Sequence, residues 1–305
     1  MTKRQPPKDV AASVRQRLLN KAHADNRPFN ELLQYYAMER FLFRLGVSEH
    51  AVKFVLKGAL LFTAWRAPAS RPTADIDLLG RTSNAVDAIV GIVADVCTVE
   101  VEPDGLVFDT RSIAAERIAE DADYQGIRVR FRGNLGTARI ALQLDIGFGD
   151  IIVPRAQQVT YPTLLDMSPP RIRCYSRETT VAEKFEAMTK LGILNSRMKD
   201  FYDIWFLARL YEFDGRVLAT AMIKTFAHRD TPIDPATVAF SEAFARDATK
   251  QAQWKAFVRK TVLDDVPTEL AEVITCVRNF LQPVAEASAA GESFDKIWRP
   301  PGPWS

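Results

Sequence analysis

The feature that most constrains the fold is a change of hydrophobic pattern near residues 165–177. Before this point, helix-forming stretches alternate with short β-rich runs, and from Thr179 onward the apolar residues recur at helical spacing. We therefore predict an α+β protein with two domains. Residues 1–170 would form a mixed-sheet core with leading helices, and residues 171–305 an all-helical domain with an extended tail.

Within the first half, the spacing of apolar residues predicts four helices and three short strands. The helices are predicted at residues 9–25, 30–46, 59–65 (short) and 84–97, and the strands at 54–56, 75–79 and 98–102. The runs IRVRFR and ARIALQLDI flank Gly133-Asn134-Leu135-Gly136, which predicts a β-hairpin with its turn there. Residues 151–175 contain four prolines and are predicted to be irregular.

Composition excludes several classes of protein. The chain is 47% hydrophobic, enough for a folded core, and its net charge of +2 provides no overall basic field. No apolar run approaches the roughly 20 residues of a membrane span, and the polar start MTKRQPPKDV lacks the apolar segment of a signal peptide. Three widely spaced cysteines without a Cys-x-x-Cys motif favour a reduced protein without a zinc site. We expect a cytoplasmic protein with no membrane partner.

Two aspartates at alternating positions stand in an otherwise apolar run. In a strand, Asp75 and Asp77 would project from one face about 6–7 Å apart, while Ile76 and Leu78 face the core. Neighbouring carboxylates repel each other unless a cation lies between them. Mg²⁺ prefers oxygen ligands and shares them with substrate phosphates. The pair therefore indicates a metal site, and the alternative is a polar strand face at the surface.

A third carboxylate, Asp145, lies in the β-rich run ALQLDIGFGD. Together with Asp75 and Asp77 it would complete a site for two metal ions, which activate an attacking hydroxyl and stabilise a leaving pyrophosphate. We predict Mg²⁺ as the metal, with two ions held by the three aspartates and Mn²⁺ as an alternative. The competing interpretation of Asp145 is a strand-end residue before the Gly147–Gly149 turn.

The residues that precede the aspartates are candidates for phosphate binding. Lys57-Gly58 lies at a predicted strand-to-helix turn, where phosphates can approach backbone N–H groups. Arg71 could neutralise phosphate, or it could simply be solvated. The hydroxyl of Thr73 lies at the mouth of the proposed site; its alternatives are a turn residue and an off-switch by phosphorylation.

A basic segment opens the second half. Residues 171–199 hold seven basic and three acidic residues, a local excess of four positive charges that could seat a triphosphate or an RNA backbone. The alternative is a pair of amphipathic helices with solvated faces, in which Glu186–Lys190 and Lys199–Asp203 form ordinary i,i+4 pairs. In both interpretations four apolar residues belong to the core: Phe185, Met188, Ile204 and Trp205.

These motifs resemble a known family. LKGA (residues 56–59) followed by RPTADIDL (residues 71–78) is similar to the signature of AbiEii-type nucleotidyltransferases, the toxins of type IV toxin–antitoxin systems in the polymerase-β-like superfamily. VAEKFEAMTK and SRMKDFYDIWFLAR resemble the two later motifs of that family. Ala59 departs from the superfamily pattern, which usually has serine after the glycine.

The resemblance implies a polymerase-β-like fold and a set of functional residues. The catalytic residues would be Asp75, Asp77, Asp145, Lys184 and Asp200, the last together with Asp203. The nucleotide-binding residues would be Lys57, Gly58, Ala59, Arg71, Thr73, Lys184 and Arg197. Lys184 would contact the nucleotide phosphates, and we expect the two halves to form a cleft.

The resemblance also implies an activity. The chain would transfer NMP from an NTP to an acceptor hydroxyl with release of pyrophosphate. The acceptor would be the 3′ end of tRNA, which makes the protein a growth-inhibiting toxin with a cognate antitoxin as partner. Two alternatives stay open: a nucleotidyltransferase that modifies a protein or small molecule, and a catalytically silent scaffold that binds a partner.

Overall fold

The computed structural model describes residues 9–68, 71–121, 124–261 and 266–305. The chain divides into two compact units. The first unit comprises the described parts of Met1–Arg66, Thr73–Gly149 and Gln157–Cys174, and the second those of Ala67–Pro72, Asp150–Ala156 and Tyr175–Ser305. None of the helices among the described residues is both long and apolar enough to cross a membrane.

The first unit is built on a seven-stranded mixed sheet. Its strands are β1 (Phe54–Lys57), β2 (Asp75–Gly80), β3 (Leu106–Asp121), β4 (Tyr124–Leu135), β5 (Ala138–Phe148), β6 (Gln157–Thr160) and β7 (Arg171–Cys174). The order across the sheet is β3-β4-β5-β2-β1-β7-β6, in which β2–β5 and β1–β7 are parallel and the other neighbours antiparallel. The helices of this unit are α1 (Val10–Ala24), α2 (Phe29–Val47), α3 (Leu60–Ala64) and α4 (Val86–Thr98).

The alternation of residues along the central strands separates the two faces of the sheet. On one face, Ile76 and Leu78 of β2 lie opposite Leu144 and Ile146 of β5, and all four are buried. An aromatic cluster on α2, β3 and β4 extends this core, with ring centroids 5.2–5.9 Å apart for Phe41, Phe108 and Phe131. The other face of β2 and β5 carries their charged residues.

The predictions for this unit need three corrections. Residues 99–105 form no strand, because α4 continues to Thr98 and β3 begins only at Leu106. The hairpin turn lies at Gly136-Thr137, since Gly133–Leu135 still pair with β5. Residues 151–175 include two strands, β6 and β7, which complete the sheet despite the prolines around them.

The second unit is helical, as predicted. Its helices are α5 (Arg177–Leu191), α6 (Met198–Leu210), α7 (Gly215–His228), α8 (Glu242–Arg246), α9 (Ala248–Thr261) and α10 (Leu270–Ala290). Its one departure from the all-helical prediction in the described residues is the antiparallel pair β8 (Phe213–Asp214) and β9 (Ile297–Trp298). The four predicted core residues, Phe185, Met188, Ile204 and Trp205, are all buried.

The tail of the chain packs on this unit. The indole N–H of Trp298 donates to the carbonyl of Ala208 at 2.7 Å, and that of Trp304 donates to the carbonyl of Phe280 at 2.9 Å. Both indole rings also contact the ring of Phe280. The Pro-rich tail is therefore extended and anchored by its two tryptophans.

The boundary predicted at residues 170/171 stays a prediction. The strand β7 follows that boundary directly and belongs to the first compact unit. Two short segments, Ala67–Pro72 and Asp150–Ala156, belong to the second unit although they interrupt the first in sequence.

Candidate active site

One face of the sheet carries charged side chains in a row across five neighbouring strands. Directly opposed residues on paired strands point to the same face. The row, which we call the charged row, consists of Lys57 on β1, Asp77 on β2, Asp145 on β5, Arg128 on β4 and Glu116 on β3. Its adjacent carboxylates, Asp77 and Asp145, are therefore flanked by one cationic residue on each side.

The third predicted metal ligand lies beside this row. Asp75 precedes Asp77 by two residues on β2, so both side chains leave the same face. Asp75 and Asp77 are half-buried, and Asp145 is buried. Neighbouring strands are about 4.8 Å apart, which places the backbones that carry Asp77 and Asp145 side by side. The fold thus brings the three predicted metal ligands onto one face of two paired strands.

The carboxylate of Asp145 is held by two neighbouring side chains. Arg128 donates two parallel hydrogen bonds to it, from Nε to Oδ1 at 2.8 Å and from Nη2 to Oδ2 at 2.7 Å. The amide of Gln143 adds a third at 3.3 Å. The bonds with Asp145 raise the pKa of Arg128 above its usual value, with a smaller contribution from Asp75. Arg128 was not among the predicted site residues.

The turn after β1 lies against Asp77. Gly58 has a φ of +71°, and a Cβ built on it would lie 1.8 Å from Oδ2 of Asp77. Only glycine combines that backbone conformation with room for the carboxylate. Lys57 and Ala59, the other predicted residues of this turn, are buried. The predicted phosphate loop and the carboxylates are therefore neighbours.

Thr73 lies at the entry to β2. Its backbone N–H donates to the hydroxyl of Tyr35 at 3.1 Å, and its own hydroxyl is 3.4 Å from the backbone N and O of Asp75. These contacts are those of a turn residue that fixes the start of the strand.

The remaining predicted residues gather in the second unit around two buried carboxylates. Lys184 of α5 lies 2.7 Å from Asp200 and 2.7 Å from Asp203, both on α6. Arg197 donates from Nε to Asp200 at 2.6 Å, and Arg71 binds Asp203 with two bonds of 2.8 and 2.9 Å. We call these five residues the ionic cluster.

The charges of the ionic cluster stabilise one another. Burial by itself would raise the pKa of Asp200 and Asp203, but the cations outweigh it and hold both pKa values below the usual range. Burial would likewise lower the pKa of Lys184, and the two carboxylates reverse this and raise it. At neutral pH both aspartates are therefore ionised and Lys184 is protonated.

Two of the alternative interpretations for this region are wrong. Glu186 is not a solvated partner of Lys190: it is completely buried and accepts hydrogen bonds from Arg229 at 2.9 Å and Thr231 at 2.7 Å. Arg71 is not a solvated loop residue, because its guanidinium is only 11% exposed and bonded to Asp203.

A separate group of potential metal ligands lies elsewhere in the first unit. Among the residues that the structure describes, Glu49, His50 and Asp95 are the one acidic or histidine trio whose ligand atoms all lie within 4.8 Å of one another. Nε2 of His50 is 3.0 Å from Asp95, and its Nδ1 is 3.0 Å from the amine of Lys53. Both ring nitrogens therefore have partners already, and the trio does not include the predicted aspartates.

The predicted aspartates nevertheless fit a hard divalent cation in their chemistry. Asp75, Asp77 and Asp145 offer only oxygen donors, which Mg²⁺ and Mn²⁺ prefer. They leave one face of two paired strands, and the missing side chain of Gly58 makes room for the carboxylate of Asp77 itself.

Comparisons with known proteins give the family. Residues 40–296 match the family described as nucleotidyl transferase AbiEii toxin, type IV TA system. No curated protein matches the chain in sequence.

Two solved structures from Helicobacter pylori resemble the chain. The crystal structure of JHP933 is 17% identical, with 86% of this chain and 92% of that chain covered and a TM-score of 0.47. A protein described as a candidate nucleotidyltransferase is 15% identical, with 85% and 95% covered and a TM-score of 0.44.

The family match over residues 40–296 identifies the chain as a nucleotidyltransferase. The chain belongs to the AbiEii family, the toxins of type IV toxin–antitoxin systems, and the match spans most of its length. The predicted resemblance is confirmed.

Proposed function

We propose that this protein is a metal-dependent toxin that transfers NMP from an NTP to the 3′ end of tRNA. The observation that carries the proposal is the alignment of Asp75, Asp77 and Asp145 on one face of two paired strands. Two Mg²⁺ ions, when bound, would supply activation of the acceptor hydroxyl and neutralise charge on the leaving pyrophosphate.

The residues of the first unit would hold and orient the nucleotide. Asp75 and Asp77 would bind metal together with the triphosphate, and Asp145 would bind metal near the acceptor hydroxyl. Gly58, with Lys57 and Ala59, would shape the loop beside the phosphates, and Thr73 would fix the start of β2.

The ionic cluster of the second unit would stabilise charge on the β- and γ-phosphates through Lys184 and Arg197. Asp200 would orient these two cations, with which it is bonded at 2.7 and 2.6 Å. Its lowered pKa makes Asp200 a weak base, so we assign it positioning and not deprotonation of the acceptor. Arg71 would hold the carboxylate of Asp203 in place and would affect the nucleotide only through that carboxylate.

The choice of tRNA as acceptor rests on the family and on the local charge of residues 171–199. A cognate antitoxin would be the protein partner, and the cytoplasm, where NTPs and tRNA are found, the place of action. Transfer to a protein or a small molecule would use the same aspartates without that basic segment, and is the second candidate.

The test is transfer of label from α-³²P-labelled NTPs to purified tRNA with Mg²⁺, compared between wild type and Asp75→Ala. We expect labelled tRNA with the wild type and a loss of at least about a thousandfold in the variant, since metal-bound charge stabilisation contributes several kcal/mol. Asp166→Asn, an exposed carboxylate of the same unit, is the matched control and should retain activity.

The acceptor and the metal are tested separately. Label on protein or a small molecule instead of tRNA would overturn the acceptor and retain the enzyme. Transfer that continues unchanged in EDTA would overturn the metal dependence.

A further inference from the structure

The ion pair between Arg128 and Asp145 bears directly on metal binding. Both oxygens of Asp145 accept hydrogen bonds from the guanidinium, and the carboxylate is only 12% exposed. Paired bonds of this kind between a guanidinium and a carboxylate are among the strongest that side chains form. A cation that approaches Asp145 therefore meets an oxygen pair that already has a cationic partner.

We propose that Arg128 and a divalent cation compete for Asp145, so that Arg128 must release the carboxylate before all three aspartates can hold metal. The inference rests on the proposed function, since it concerns the same metal site. Arg128 thereby acts as a positioning residue, which holds the carboxylate of Asp145 in its orientation until the metal replaces the guanidinium.

Electrostatic repulsion disfavours simultaneous binding of Arg128 and a divalent cation to Asp145, so the cation replaces the guanidinium. A guanidinium and a divalent ion on one carboxylate would repel each other at short range, and the burial of Asp145 limits screening by water. Asp75 attracts Arg128 as well. Metal bound between the aspartates would remove that attraction too.

The sheet provides a second partner for the displaced guanidinium. Arg128 lies directly opposite Glu116 on β3, as it lies opposite Asp145 on β5. Residues so paired have Cβ atoms about 4.5–5.5 Å apart, within the reach of an arginine side chain. Glu116 at present accepts a bond from Arg130 at 2.7 Å, and it is half exposed and can accept from two arginines. Arg128 can thus change partner by rotation about its side-chain bonds.

The experiment measures Mn²⁺ binding to the purified full chain without nucleotide, by electron paramagnetic resonance of free Mn²⁺. Arg128→Ala and Arg128→Gln should each bind Mn²⁺ at least about tenfold more tightly than wild type, because no charged donor then has to be displaced. The midpoint of thermal unfolding should rise more on adding Mn²⁺ in these variants than in wild type.

Arg130→Ala is the matched control. Arg130 lies two residues along β4 on the same face, and its bonds go to Glu116 and Gln143 and not to Asp145. Its removal should leave Mn²⁺ affinity unchanged, which separates release of Asp145 from a general change of charge on this face.

Failure of this inference and failure of the proposed function give different results. If wild type binds Mn²⁺ and both Arg128 variants bind it equally or more weakly, the competition is wrong and the metal site stands. If neither the wild type nor the Arg128 variants bind Mn²⁺, the metal-dependent function is wrong and the competition with it. Tighter binding in Arg130→Ala as well would also contradict a specific exchange at Asp145.

Discussion

The geometry of the carboxylate site depends on single residues, and Gly58 is the clearest example. Its backbone lies against Asp77, and its positive φ excludes most other residues. The sequence suggested a glycine needed for phosphates to approach. The structure adds a second requirement, because the absence of a side chain also makes room for a proposed metal ligand.

Gly58→Ala should lower nucleotide transfer by about a hundredfold, because the new methyl group displaces Asp77 by an ångström or more. The measurement is the rate of label transfer at saturating NTP. Gly91→Ala is the control: a Cβ there meets no atom within 4 Å, and in the exposed part of α4 it should leave transfer unchanged and raise stability by up to about 1 kcal/mol. Equal activity of Gly58→Ala and wild type would show that Asp77 tolerates displacement.

The sequence predicts the face of the sheet on which Arg128 lies, but not its pairing with Asp145. The alternation in IRVRFR places Arg128 on the polar face of β4, and that much could be predicted. Its pairing with Asp145 depends on the register of the hairpin. The predicted turn at Gly133–Gly136 would have placed Arg128 opposite Ala141, whereas the turn at Gly136-Thr137 places it opposite Asp145. A displacement of the turn by a few residues was enough to hide the contact.

At the scale of elements, α5 and α6 are joined by ionised groups buried between them. Asp200 and Asp203 project from α6 with almost no exposed surface, and Lys184 of α5 bonds both. The sequence predicted both helices and the importance of Lys184 and Asp200. It could not predict Arg71 as partner of Asp203, since the two residues are 132 positions apart along the chain.

Acid should weaken this helix pair. The pKa values of Asp200 and Asp203 are lower in the folded chain than the usual value near 4, so their contribution to stability is present above about pH 4–5 and is lost as the pH falls toward their folded values. Asp200→Asn should destabilise the protein at pH 7 by about 3–5 kcal/mol and reduce the further loss of stability between pH 5 and 3.

Urea unfolding of both proteins at pH 7, 5 and 3.5 measures this dependence. Asp214→Asn, which retains a side-chain acceptor at the N-cap of α7, is the control and should follow the wild-type pH dependence. The same slope in wild type and Asp200→Asn would show that Asp200 does not carry the acid dependence.

At the scale of the whole molecule, the sequence predicted a mixed sheet followed by a helical region. The switch from mixed to helical sequence is real, because the seven strands of the sheet all end by Cys174. The strands β6 and β7 were missed because they are four residues long and lie among prolines, which hides the strand pattern. The long strand β3 was not predicted, because apolar and polar residues alternate only weakly in its sequence LVFDTRSIAAERIAED.

The thiols provide a test of how well the whole chain is packed. Burial raises the pKa of Cys97 and Cys174 to about 12, and both are buried, whereas Cys276 is partly exposed. A colorimetric thiol reagent at pH 8 should therefore modify at most one cysteine in the native protein and three in urea. Cys276→Ser should give no rapid reaction in the native state. Fast modification of two or more thiols in native wild type would contradict the described packing.

The charged row makes this fold more sensitive to insertions and deletions than to substitutions. A substitution alters one side chain, but an inserted or deleted residue within β2, β4 or β5 moves every residue beyond it to the opposite face. Asp77, Asp145 and Arg128 would then enter the apolar interior, and buried leucines and isoleucines would take their places. We therefore expect this fold to tolerate most substitutions in these three strands better than a change in their lengths or in the length of the two-residue turn between β4 and β5.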